Sequence, residues 1–166
     1  MRLPFVLLLL AGCGERDGAD APANAGVALE RAAVRAGLAP DPERGTIVGA
    51  WGRDNDRLCV VPRQGSVGGG PDRVGVLLDY GEGNGCVGSG DVRRNGRTLA
   101  MSFGDCRFEG RFDGERIVFP PELPVACERL CRGNATLSAL AVERVSGSAA
   151  EAATLRAPSG RLLCAG

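Results

Sequence analysis

Between Gly45 and about Pro121 the apolar positions fall into short runs separated by turn residues, a pattern of short strands joined by hairpins. The runs Thr46–Trp51, Arg57–Val61, Arg73–Tyr80, Cys86–Arg93, Thr98–Phe103, Cys106–Phe112 and Arg116–Phe119 each predict a strand. In Cys106–Phe112 the alternation sets Cys106, Phe108 and Phe112 on one face and charged residues on the other, as a half-buried strand requires. Asn95-Gly96 and Asp113-Gly114 are dipeptides that tolerate the positive φ of tight hairpins, and each stands between two runs. A further strand is expected at Leu140–Val145. Ser148 followed by Glu151 forms a capping-box pair that predicts a short helix over Ala149–Ala157, ended by Pro158.

Antiparallel strands need closure or cover for their edges. The expected fold is therefore mainly β: a small antiparallel barrel or curled sheet with short peripheral helices, stabilised by disulfides. A two-sheet sandwich is the alternative. One domain spanning 45–166 is expected. Ahead of it, Val27 to Leu38 reads as a short helix ended by Gly37 and Pro40, and residues 13–26 read as a flexible tether too poor in apolar groups to bury.

The first residues change the picture from a plain β domain to an exported one. Met1 to Gly12 carry one positive charge, then an apolar run, then small residues, the layout of a secretory signal peptide too short to span a bilayer. Leu10-Ala11-Gly12-Cys13 resembles the bacterial lipobox. That resemblance implies a signal peptide over 1–12, cleavage before Cys13, and lipidation of Cys13 with diacylglycerol and an acyl chain such as palmitate. Several chains anchor a protein firmly where one binds reversibly. Gly14 after the cysteine implies, by the sorting rule of that family, an outer-membrane location facing the periplasm.

Export also decides how the cysteines are read. Cys59, Cys86, Cys106, Cys127, Cys131 and Cys164 form an even set beyond Cys13, expected as three disulfides with connectivity open. The competing reading is metal binding, but the close pair Cys127 and Cys131 has three residues between its members and the chain has no histidine. Histidine-dependent triads and imidazole bases are excluded for the same reason. The chain carries 20 basic and 20 acidic residues with no basic stripe, so nucleic acid is not an expected partner. All basic residues are arginine.

The candidate chemistry centres on Asp79, Tyr80, Gly81, Glu82, Gly83, Asn84, Gly85 and Cys86. Here an aromatic ring, two carboxylates and an amide sit on a glycine-rich loop that a disulfide at Cys86 would fix. Loops held by a rigid scaffold commonly carry binding residues. Asp79, Tyr80, Glu82 and Asn84 are the candidate binding residues, against plain hairpin geometry as the simpler account. The spacing lacks the helix-loop-helix calcium pattern and any phosphate loop, so no cofactor or metal is expected. No catalytic residue is assigned, although Asp79, Glu82, Asp91 and Asp105 lie near strand ends where paired carboxylates can serve glycoside hydrolysis.

Export, size, strands and cysteines, with the opening Gly49-Ala50-Trp51, are similar in outline to small bacterial periplasmic barrel inhibitors of lysozyme or proteases. The resemblance implies a lipid-anchored binding protein with a periplasmic protein or glycan as partner. The alternatives are a histidine-free hydrolase of an envelope glycan and a non-catalytic support protein.

Overall fold

A computed structural model describes residues 22–63 and 70–164; the lipobox, Cys13 and most of the Gly65 to Pro71 loop lie outside the described residues. The chain divides into two compact units, residues 1–39 and 40–166.

In the first unit α1 spans Pro22–Arg35. It begins inside the segment expected as tether and ends before Leu38. The composition argument concerned burial, whereas a helix needs only low backbone cost, which alanine supplies, and Pro22 suits a first turn whose N–H groups have no partner in the helix. The end is a paired closure at Gly37 (φ 70): Gly37 N–H donates to Val34 O at 3.0 Å and Leu38 N–H to Ala33 O at 2.9 Å. Val27, Leu29 and Leu38 are exposed. No helix among the described residues is long and apolar enough to cross a membrane.

The second unit is a closed antiparallel barrel of eight strands, as the hairpin pattern led us to expect. Its strands are β1 (Gly49–Arg53), β2 (Asp56–Val61), β3 (Asp72–Asp79), β4 (Gly85–Asn95), β5 (Thr98–Phe103), β6 (Cys106–Phe112), β7 (Arg116–Val118) and β9 (Ala141–Ser146). Neighbours in sequence pair in turn and β9 closes on β1, while the two-residue β8 (Cys131–Arg132) attaches to β4. Thr46 to Val48, expected as the start of a strand, instead lead into β1, which begins at Gly49. The expected helix is also shorter: α2 covers Ala149–Ala152, with Ser148 Oγ accepting from Glu151 N–H at 3.2 Å.

An eight-stranded barrel is just wide enough for side chains to fill. Trp51, Leu58, Val60, Val74, Val76, Leu78, Leu99, Phe112, Ile117 and Val142 do so, each 1% exposed or less. Burying a side chain such as Leu58 or Phe112 contributes about 1.5–3 kcal/mol. A second cluster lies outside the wall, where Cys59, Val61, Ala152, Ala157, Leu163 and Cys164 pack together and the Cys59–Cys164 disulfide ties down the chain's end. Gly75 permits this cover to sit close: a Cβ there would meet Leu163 Cβ at 2.7 Å and Cys59 Sγ at 2.8 Å.

Alternation of strand direction defines two ends. The lower end holds the β4–β5 and β6–β7 hairpins and the segment 40–48 before β1. The upper end holds the β1–β2, β3–β4 and β5–β6 turns and the long β7–β9 connection.

Candidate functional site

The β7–β9 connection carries a 3-10 helix (Val125–Leu130) and β8, and Leu137 and Leu140 bury in the same core cluster as the barrel residues. Two disulfides fasten it: Cys106–Cys127 joins the 3-10 helix to β6, and Cys86–Cys131 joins β8 to β4. The six cysteines thus form the three expected bridges, and Cys86 fixes the end of the glycine-rich loop as expected.

The loop between β3 and β4 is held by its own backbone, with Tyr80 N–H donating to Asn84 O at 3.0 Å and Asn84 N–H to Gly81 O at 2.8 Å. Asp79 Oδ1 accepts from Gly81 N–H at 3.1 Å, which makes this carboxylate a cap of its own turn. Asn84 Oδ1 accepts from Asn134 N–H at 3.1 Å and so latches the loop to the segment after β8. Glycine is required at 133, where φ is +65° and a Cβ would stand 2.0 Å from Asn84 Oδ1.

Tyr80 leaves the end of β3 with its hydroxyl donating to Asp56 Oδ1 at 2.9 Å, although the ring is 52% exposed. Partial desolvation, then the hydrogen bond and the negative charge of Asp56, push the phenol up to about 12. Glu82 is different from the other three. It occupies the loop tip, exposed, at φ 51, and among the described residues no polar contact engages it.

Of the four candidates, then, Asp79, Tyr80 and Asn84 shape and fasten the loop while Glu82 points to solvent. Asp79, Glu82 and Asn84 also line one cleft of about 580 Å³ with Arg129, Arg132 and Arg161. Tyr80 lines a neighbouring cleft of about 350 Å³ with Arg53, Asp54, Asp56 and Ala139. The arginines and Asp56 were not singled out in the sequence. Arg132 follows Cys131 directly and Arg161 follows a Ser-Gly turn, so the Cys86–Cys131 pairing is the signal that would have placed Arg132 beside the loop.

The remaining carboxylates considered for hydrolysis have other partners. Asp91 is paired with Arg63 and with Arg73, and Asp105 stands 3.7 Å from Arg129. Among the described residues no group of three or more His, Cys, Asp or Glu side chains gathers as a metal site. Trp51 and the phenylalanines at 103, 112 and 119 are buried in the core and Phe108 packs against it, so this aromatic set fills the barrel. Comparison with family models, with curated proteins and with solved structures finds no match.

Proposed function

We propose that this chain is an exported cell-envelope protein, lipid-anchored at Cys13 to the periplasmic face of the outer membrane, that binds a partner through the upper end of its barrel in the manner of an inhibitor. The signal-peptide pattern and the lipobox support export and anchoring. One observation carries the binding reading. The Asp79–Gly85 loop is pinned by the Cys86–Cys131 disulfide and the Asn84–Asn134 hydrogen bond, yet its tip presents Glu82 to solvent in a left-handed conformation. A loop ordered beforehand avoids the entropy cost of ordering on contact. Apolar side chains occupy the barrel interior, which turns attention to the outer surface of this end.

The partner is a periplasmic protein or a glycan. Full-length protein immobilised through its anchor should capture it from an envelope extract, with soluble copies competing. Glu82→Gln should weaken capture by about 1 kcal/mol or more, the loss expected of an interface anchor, with unfolding nearly unchanged, whereas Tyr80→Ala should weaken both capture and stability because it removes the hydrogen bond to Asp56. Normal capture by both variants removes this loop as the interface. For the anchor, the mass of membrane-extracted protein should show lipid on a chain beginning at Cys13; an intact Met1 to Gly12 segment contradicts it.

A further inference from the structure

We infer that the cleft beside the Asp79–Gly85 loop receives a carboxylate-bearing segment of a partner polypeptide, gripped by Arg132 and Arg161. The inference rests on the partner-binding reading and names the chemistry that the partner must present. Two parts of the chain distant in sequence bring arginines here: Arg129 in the 3-10 helix and Arg132 on β8 opposite Gly85 come from the β7–β9 connection, and Arg161 follows the turn at Ser159-Gly160. Gathering like charges costs energy that a bound anion offsets.

Within the protein the arginines are poorly neutralised. Arg129 has only a solvent-exposed pairing with Asp105 at 3.7 Å, and Arg161 donates weakly to Ser89 Oγ at 3.4 Å. Among the described residues no carboxylate stands within ion-pair distance of Arg132 or Arg161, although Asp79 and Glu82 line the same cleft. Guanidinium groups present planar donor forks that match a carboxylate, and such charge-assisted pairs are about twice as strong as neutral hydrogen bonds.

Two features favour a polypeptide carboxylate over phosphate. Asp79 and Glu82 repel a multiply charged anion more than a single carboxylate, and they can meet a basic or amide group beside it. Leu130, Val87 and Pro158 add apolar wall, which suits an acidic residue flanked by apolar ones.

The probe is a blocked pentapeptide alternating glutamate and leucine, titrated calorimetrically into full-length protein in detergent. Saturable binding is expected, weakened about tenfold or more in Arg132→Gln/Arg161→Gln. Both side chains are exposed, so the unfolding midpoint should hold. The lysine counterpart of the peptide should not bind, and equimolar inorganic phosphate should not displace the acidic one. Absence of saturable binding, unchanged affinity in the double variant, equal binding of the lysine peptide, or displacement by phosphate would overturn the inference. If the double variant still captures an envelope partner that Glu82→Gln loses, this chemistry is wrong while the binding reading stands.

Discussion

The two ends of the barrel are closed by different means. At the lower end the segment 40–48 is held by two partly buried arginines. Arg94 donates to the carbonyls of Pro42 and Gly45, and Arg144 to those of Thr46 and Val48. Each guanidinium also lies over a core ring: Arg94 is 5.0 Å from the centroid of Phe112 and Arg144 is 4.1 Å from that of Trp51. Those rings meet edge to face at 5.8 Å, and Trp51 Nε1 donates to Ile47 O at 3.0 Å. Burial holds the Arg144 guanidinium below its ordinary value, with Glu115 opposing, yet it stays charged at neutral pH. The hairpins at this end use glycine at positive φ, Gly96 and Gly114.

The upper end is closed by the disulfide-fastened β7–β9 connection. Among the described residues, the three non-glycine positions with positive φ, Asp54, Glu82 and Ala139, all lie here. Strained backbone of this kind costs on the order of 1–3 kcal/mol per residue and persists only where the surroundings impose it. Here too, among the described residues, Arg132 and Arg161 have no carboxylate within ion-pair distance. At the lower end Arg94 and Arg144 engage carbonyls and rings of the protein itself, whereas the upper end turns Glu82, Arg132 and Arg161 outward. The proposal of binding at the upper end and stability at the lower end rests on that contrast.

The largest expected effect is at the lower end. Trp51→Ala removes the ring that joins Phe112, Arg144 and Ile47, and should cost about 3–5 kcal/mol in chemical unfolding. A cost below about 1 kcal/mol would show that this closure is not a stability element. A smaller effect of opposite sign belongs to the upper end: Ala139→Gly relieves a left-handed alanine (φ 56) and should stabilise by roughly 0.5–1 kcal/mol. Destabilisation by this change would mean that Ala139 is unstrained.

The third effect is electrostatic and can be read without ambiguity because Tyr80 is the only tyrosine. Its absorbance near 295 nm should titrate with a midpoint near 12, and Asp56→Asn should lower that midpoint. The folded phenol holds its proton more tightly than the unfolded one, whose ordinary value is 10.0. Its contribution to stability is therefore full below pH 10 and fades as pH rises toward 12. A midpoint at the ordinary value would mean that the Tyr80–Asp56 contact does not form.

Local signals in the sequence carried furthest. The bounds of Thr98–Phe103 and Cys106–Phe112 are those of β5 and β6, because the alternation and the two flanking turn dipeptides are written in neighbouring residues. Closure was not legible in that way. It depends on β9 meeting β1 across some ninety residues and on β4 pairing with β3 along the whole of β3, which separate a barrel from a sandwich only in space. Thr46 to Val48 read as strand because they are β-branched and partly apolar, but Arg144 takes the carbonyls of Thr46 and Val48. The loop residues at 79–85 were legible from composition and the Cys86 anchor. The arginine cleft was not, since its convergence follows from disulfide pairing and from the return of the C-terminal segment.

The contrast between the ends is tested most directly by measuring unfolding and partner capture on the same preparations of Trp51→Phe and Glu82→Gln in the full-length protein. Trp51→Phe should lower the unfolding midpoint while its folded fraction captures partner as the parent does. Glu82→Gln should keep the parent's unfolding curve and lose about tenfold in capture, a difference of about 1.4 kcal/mol. Glu82→Gln capturing like the parent, or losing capture only in proportion to unfolded protein, would contradict the assignment of binding to the upper end.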